Sequence, residues 1–426
     1  MASTAIDAVS PQRLEAFKHE NWKRRIDLAA STESLFRGAT DSLPSRVNIA
    51  AHIAPERYTL ERERIFRRSW LTIGHTQELP QKGSYFVYDI PTFNYSLLVV
   101  RGQDDVVRVF HNVCRHRGNK LVRDMAGTRP GFSCNFHGWS YTAEGKLRLI
   151  TDEKEFQDCD KSNLDLVPVT SEVWNTFIFV NFEEKPHCTL TEWLGDLHDK
   201  YNDYFEPQEI GAAYQTQVNT NWHLGINAFS EGYHTLYLHK STARDYQGGK
   251  RNPERHRPTI EVFDRHYRYS APGNPDKVFV PGEKVAAKFG RMIIPAFDFD
   301  CTGLPPGINS AGHDFWAFDV VGLYPNFVML IGNCWHNEMS FWPIDAGRTL
   351  VVNHGWTYKP KNLGERVSRA YFRARVRDVF REDLNTLEAQ QVALSSGAIT
   401  EVVLSRQEMA LRAHFVVTDR MMSEVK

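Results

Sequence analysis

No uninterrupted apolar stretch approaches the roughly 20 residues a membrane helix needs, so no spanning segment is expected. The first residues, Met1-Ala-Ser-Thr-Ala-Ile-Asp7, lack a basic region followed by an apolar run, and no secretory signal is expected. Charge of neither sign dominates: 51 Lys and Arg stand against 52 Asp and Glu, which leaves no strong pull toward nucleic acid or an acidic membrane. Cysteine is sparse, at six in 426 residues (114, 134, 159, 188, 301 and 334). Scattered in this way, the thiols fit a reduced state or metal ligation better than a disulfide framework. There is also no internal repeat, no low-complexity tract and no G-x-G-x-x-G dinucleotide fingerprint. These absences predict a soluble cytoplasmic protein of two or three domains with ample material for a core.

Residues 11–46 read as a charged helical arm, with Leu14, Phe17, Trp22 and Ile26 at roughly helical spacing. From Tyr85 the pattern changes to short β-branched and aromatic runs. Tyr85–Tyr88, Tyr95–Val100, Val106–Phe110, Phe132–Asn135, Leu147–Leu149 and Phe177–Asn181 are expected strands, the first three split by Pro91, Asn94 and the Gly102–Asp105 turn. An all-β module over 48–170 follows, between an arm at 1–47 and a remainder at 171–426. In that remainder 242–285 reads as a solvated loop, Leu323–Ile331 and Arg348–His354 as core strands, and 364–395 as the clearest helix.

Two motifs carry chemistry. Cys114-Arg-His116 and Cys134-Asn-Phe-His137 supply two thiolates and two imidazoles, each pair mixed, beside Gly118 and Gly138. Such a set can hold a [2Fe–2S] cluster with both histidines on one iron, or complete a tetrahedral zinc site. The second motif places Asn227, Glu231, His234 and His239 within thirteen residues. On a helix the first three fall at i, i+4 and i+7 and share a face, whereas His239 lies about 140° past His234. A helix that bends or ends between the two histidines is therefore expected. Two histidines and one carboxylate make the facial triad of non-haem Fe(II) oxygenases. Asp383 is the candidate carboxylate, because it falls inside the apolar stripe Val376, Val379, Phe380, Leu384 and Leu387, where an unpaired charge is costly. Glu382 falls off that stripe and reads as surface. Phe229, Tyr233, Tyr237, Phe315, Trp316 and Trp335 are candidate walls of a pocket around the iron, and equally plain core.

The run Asn112-Val-Cys-Arg-His-Arg-Gly118 through Cys134-Asn-Phe-His-Gly-Trp-Ser-Tyr141 resembles the cluster-binding segment of Rieske proteins. With Asn227–His239 behind it, residues 50–395 resemble the α subunit of Rieske non-haem iron oxygenases, the aromatic ring-hydroxylating dioxygenase family. The resemblance implies an α+β chain: a Rieske [2Fe–2S] β domain, then a helix-grip catalytic domain with a curved antiparallel sheet. It implies Cys114, His116, Cys134 and His137 on the cluster and His234, His239 and Asp383 on a mononuclear Fe(II), and D-x-x-x-x-E-x-x-Q (Asp383, Glu388, Gln391) is similar to the family's third-ligand segment. It gives Glu231 the part of a carboxylate linking His234 to a cluster histidine, His137, of the neighbour in a homotrimer. That position is usually Asp, and Glu resembles the variant in quaternary ammonium oxygenases such as carnitine monooxygenase. Asn227 resembles an asparagine lining the iron pocket, a core-paired amide being the alternative. Electrons would come from NAD(P)H through a separate reductase, directly or by way of a ferredoxin, with Arg115, Arg117 and Lys120 near a docking surface. Small β subunits are left open. The expected reaction is mono- or dioxygenation of an aromatic compound, as in aromatic hydrocarbon catabolism, with N- or O-demethylation or quaternary-amine oxygenation as the alternative. A Rieske electron carrier or redox sensor is the reading from another class.

Overall fold

The run Phe177-Ile-Phe-Val-Asn181 shows no polar alternation, and in the computed structural model it is a strand buried along its whole length, as a run apolar on both faces requires. The structure describes residues 43–243, 258–274, 276–289, 303–313, 316–333 and 335–424, with backbone alone at Phe36–Gly38. Most of the expected arm at 11–46, residues Phe315, Cys301 and Cys334, and 244–257 lie outside them. Two compact units emerge, Thr59–Trp193 and the combination of Met1–Tyr58 with Leu194–Lys426.

In the first unit Phe177–Asn181 lies between Leu71–His75 and Pro168–Trp174. The sheet continues through Val107–His111, Tyr95–Arg101, Ser84–Ile90 and Ala126–Thr128. Leu147–Leu149, Ser140–Thr142 and Gly131–Ser133 form a second, antiparallel sheet. Tyr85, Val87, Leu98, Val100, Phe110, Trp139 and Tyr141 fill the core. The expected limits of this module shift at both ends, for reasons of pairing. Pro168–Trp174 is one continuous strand across residue 170, and its partner Phe177–Asn181 pairs back to Leu71–His75. Arg46–Asn48, in contrast, pairs with Glu401–Val403 and belongs to the other unit.

The second unit is built on an eight-stranded sheet in the order Phe36–Gly38, Thr259–Val262, Tyr267–Pro272, Trp316–Leu323, Phe327–Gly332, Trp335–Asp345, Arg348–Tyr358, Gln208–Val218. All pairings are antiparallel except the first. This is the expected curved antiparallel sheet of an α+β chain. Three local expectations change. The described backbone at Phe36–Gly38 is strand, not helix. The run Leu323–Ile331 turns between two strands around Pro325. The stretch 242–285 contains two strands and the start of a helix. Its alternation of buried tyrosines with Arg268 escapes a reading based on charge alone.

Five helices matter below: α1 (Trp222–Phe229), α2 (Thr235–Leu238), α3 (Pro281–Phe289), α4 (Leu363–Ser395) and α5 (Met409–Ser423). Asn362 starts α4 by accepting the Glu365 N–H at 2.9 Å, an N-cap that satisfies one of the orphan amides of the first turn. Its buried positions Ser368, Phe372, Phe380, Asp383, Leu387, Gln391 and Leu394 fall three, four or eight apart, on a single stripe.

Two fully buried histidines set the acid tolerance of the fold. Burial pushes His75 down to about 3, against weaker upward pulls from Glu78 and Gln77. Burial, then His223, His52 and Arg57, holds His414 of α5 far below the ordinary imidazole range. A histidine depressed in the folded chain stays neutral while its unfolded counterpart takes a proton below about pH 6.5. Each therefore removes up to about 1.4 kcal/mol of stability per pH unit below that point, until its own folded pKa is reached. Urea unfolding followed by tryptophan fluorescence should show stability falling between pH 6.5 and 5, and His75→Gln should flatten the slope for its own unit.

Candidate metal centres

The two cysteine–histidine motifs are twin loops in the first unit. Cys114 N–H donates to Asn119 O at 2.9 Å and Gly118 N–H to Cys114 O at 3.0 Å; Cys134 and Gly138 repeat the pattern onto Trp139 O and Cys134 O at 2.7 and 2.9 Å. Both glycines stand at positive φ, 73° and 76°, where a side chain would be strained. The cysteines are buried, and the rings of His116 and His137 lie 4.6 Å apart, His116 stacked on Trp139. His116 Nδ1 is buried with no hydrogen-bond partner. Two thiolates and two imidazoles on paired loops suit a [2Fe–2S] cluster with the cysteines on one iron and the histidines on the other. Burial works against a thiolate at Cys134, but the Phe136 N–H, the Asn119 amide, the Cys114 thiol and the His137 N–H outweigh it and hold the group below the usual thiol range. Burial raises Cys114, and Tyr141 Oη lies 3.6 Å from its sulfur. The sequence reading gives Tyr141 no role beyond closing the motif. Its place in the core hides it, although a hydroxyl on a cluster sulfur tunes the potential.

In the second unit the chain after α1 does not stay helical. Ser230 turns its hydroxyl back onto Ile226 O, and Glu231 bends round so that Oε2 accepts the N–H groups of Tyr233 and His234 while Oε1 meets His234 Nδ1. Only Asn227 of the expected three-residue face is thus helical. The one-turn α2 then carries the chain from His234 to His239. The helix breaks before His234 and not between the histidines as expected, and the turn of α2 brings their Nε2 atoms to 3.2 Å. From α4 Asp383 Oδ1 approaches them at 3.5 and 3.1 Å.

Asp383 is 2% exposed, and Oδ1, for all its nearness to the imidazoles, makes no hydrogen bond of proper geometry. An acceptor buried in this way, facing two ring nitrogens whose far sides are already engaged, is the arrangement a cation completes. Burial alone would keep the imidazoles neutral. Glu231 and Asp383 reverse that for His234, and Asp383 and Glu382 for His239, so both titrate above the ordinary range. An incoming metal ion displaces those protons.

Glu382 is not surface. Its Oε2 accepts from His239 Nδ1 at 2.9 Å and from Thr242 Oγ1 at 2.5 Å. Each histidine is therefore backed by its own carboxylate. Glu388 and Gln391 act at a distance: their side-chain oxygens take the Asn219 and Asn221 N–H groups at 2.8 Å, tying the entry to α1 onto α4. Asn227 turns its amide to His52 Nε2 at 3.4 Å, the core-paired alternative.

Above the triad opens a cleft of about 130 Å³. Phe229 and Trp335 line it as expected, joined by Tyr269, Phe318, Phe372, Val376, Val379 and Phe380. Tyr233 and Tyr237 are instead exposed, and Trp316 is buried with its indole N–H on Asp319 at 2.8 Å. The missed walls on α4 carry a readable signal, since they precede Asp383 on its own stripe.

Comparison with known proteins agrees with this geometry. The family described as ring hydroxylating alpha subunit (catalytic domain) matches residues 194–424, and the Rieske [2Fe-2S] domain matches 69–168. The chain is 28% identical over 346 residues to the carnitine monooxygenase oxygenase subunit of Acinetobacter baumannii, covering 79% of this chain and 81% of that one. It is 30% identical over 222 residues to the benzene 1,2-dioxygenase subunit alpha of Pseudomonas putida, covering 50% and 47%. The fold matches naphthalene 1,2-dioxygenase from Rhodococcus sp. bound to indole, with TM-score 0.73, 18% identity, and 98% and 100% coverage.

Proposed function

Because this chain belongs to the ring-hydroxylating α-subunit family of Rieske non-haem iron oxygenases, we propose that it inserts oxygen into a small organic compound bound in the aromatic-walled cleft. It is the terminal oxygenase component of such a system, with a Rieske [2Fe–2S] cluster and a mononuclear iron as cofactors and a reductase as electron source; α subunits of this family oligomerise. When bound, the cluster passes single electrons and the mononuclear iron activates dioxygen beside the substrate. The reading is carried by one observation: His234, His239 and Asp383 turn ligand atoms within 4.8 Å of one another at the foot of an apolar cleft.

The roles follow from contacts. Cys114, His116, Cys134 and His137 hold the cluster. His234, His239 and Asp383 hold the iron and leave open positions for substrate and dioxygen. Glu231 keeps the proton on His234 Nδ1 and so aims Nε2 inward. We extend that role to a link between His234 and His137 of a neighbouring subunit, in a homotrimer. Asn227, through His52, steadies α1 behind the histidines. A cytoplasmic setting fits the described cysteines Cys114, Cys134, Cys159 and Cys188, all free thiols; among the described residues no helix is long and apolar enough to cross a membrane.

Ring faces in such number suit hydroxylation of an aromatic ring. Oxygenation of a quaternary ammonium compound is the second reading, favoured by Glu231 and by rings able to face a cation. A single turnover separates them: iron-loaded, reduced protein receives oxygen and a pool of aromatics or of quaternary amines and methyl ethers. A mass gain of one or two oxygens on a ring supports the first; an aldehyde with a released amine supports the second. A carrier or sensor without an oxygenase site would hold two irons per chain, not three.

A further inference from the structure

Tyr269, Val320, Leu330 and Asn337 stand directly opposite one another on four neighbouring strands of the second unit. Residues paired in this way share a face, so the row runs along the cleft for three strand spacings, about 14 Å. Its ends are polar and buried, Tyr269 at 3% exposure and Asn337 at 2%, and both line the cleft. Asn353 Nδ2 donates to Glu338 O at 2.7 Å and to Asn337 Oδ1 at 3.0 Å. A carbonyl can only accept, so the first bond fixes the Asn353 amide and the second turns the Asn337 oxygen toward it. The Asn337 amide nitrogen is left over, and none of the described residues accepts from it.

The Tyr269 hydroxyl also meets no hydrogen-bond partner among the described residues. Burial, then Glu231, Tyr267 and Asp383, holds that phenol far above its usual range, so it is a donor on the side of the metal ligands. Asn337 marks the opposite end. Its Oδ1 and Phe372 Cε1 come within 3.4 and 3.7 Å of where a Cβ on Gly355 would stand. Phe372 precedes Asp383 by eleven positions on α4, a rise of about 16 Å.

A tie to Asn353 would use Asn337 Oδ1 and leave the nitrogen unexplained. A buried donor that nothing answers costs free energy, and buried polar groups are rarely left so. Near the metal ligands, water held by Glu231 or Asp383 can answer the phenol. Beside Asn337 the wall is Leu330, Trp335 and Phe372, while Arg375 is engaged with Glu283 of α3. A water there lacks the several polar partners that hold one in place. We propose that Asn337 donates to a carbonyl or ether oxygen on the substrate, at the end remote from the carbon that reacts beside His234, His239 and Asp383. The inference rests on the oxygenase reading and narrows it from bare hydrocarbons, and from cations without such an oxygen, to oxygen-bearing compounds. The cleft of about 130 Å³ sets their size, close to the about 150 Å³ of a cavity that holds benzene.

The test is anaerobic titration calorimetry of the holoprotein with pairs matched in shape. One pair is acetophenone and isopropylbenzene; the other is 5-(trimethylammonio)pentan-2-one and trimethyl(4-methylpentyl)ammonium. In at least one pair the affinity of the ketone relative to its mate should fall about five- to tenfold when the donor is removed, the scale of one hydrogen bond. Which pair responds tells the aromatic from the quaternary ammonium source. Asn337→Asp keeps the oxygen for Asn353, and Asn337→Leu keeps the volume without a charge; the fall should appear in both. Tyr269→Phe should leave the ratio unchanged. A ratio that survives in either Asn337 variant overturns the proposal, as does a wild-type protein that binds neither ketone. A ratio that falls in Tyr269→Phe instead places the oxygen at the metal end and overturns it as well. Failure of the oxygenase reading itself would show elsewhere, as two irons per chain.

Discussion

Asp383→Ala should abolish turnover while leaving the visible spectrum of the cluster unchanged, and lower the iron content from three per chain to two. The side chain is the single carboxylate among the three converging groups and the only one delivered by α4. Without it two imidazoles would have to hold a hard divalent ion that prefers at least one oxygen donor. The loss should therefore exceed the about 10–100-fold that follows removal of an outer partner. Asp383→Asn tests the charge separately from the shape, because the amide fills the same space between the imidazoles without supplying an anion. Metal analysis, a visible spectrum and a product assay on the same sample decide the matter. A third iron and turnover retained in the alanine variant would remove Asp383 from the ligand set.

What the sequence made legible follows from how local each signal is. The cluster loops are nearly self-contained: cysteine, histidine and the following glycine stand within five residues, and one backbone pattern closes each loop. Asp383 was legible because its place on the stripe of α4 conflicts with its charge, and such a conflict marks a site. The histidine spacing called for a break between His234 and His239, whereas the actual break comes earlier, after α1 and before His234. Its mechanism lies in Glu231, whose carboxylate takes two N–H groups ahead of it and ends the helix before the face expected for it can form. Glu382 was misread because helical periodicity describes only its own helix. Its partners His239 and Thr242 arrive from a distant segment. The strand Phe177–Asn181, beyond the expected limit at 170, was hidden for the same reason, since it pairs with a strand far earlier in the chain.

Glu382→Ala and Glu231→Gln should fail in different ways, although each removes a carboxylate from behind one histidine. The Glu382 carboxylate accepts from His239 and Thr242, so its task is to fix the imidazole with Nε2 toward the triad. Its loss should weaken Fe(II) binding by about 10–100-fold, measurable by competition with a chelator in the absence of any turnover, and saturating Fe(II) should restore activity. Thr242→Val, which removes the hydroxyl that pins the carboxylate, should follow in the same direction with a smaller effect. Glu231→Gln keeps one oxygen, enough for His234 Nδ1, and loses the acceptor for the Tyr233 and His234 N–H groups, so iron binding should fall less than in Glu382→Ala. If the charge of Glu231 carries the link between the two metal centres, reoxidation of the reduced cluster by oxygen and substrate should slow by about 100-fold, and added iron should not rescue it. Rescue of Glu231→Gln by iron would reduce Glu231 to a positioning residue like Glu382. Unchanged iron affinity in Glu382→Ala would show that the pairing of His234 with Glu231 and the approach of Asp383 suffice to orient the triad.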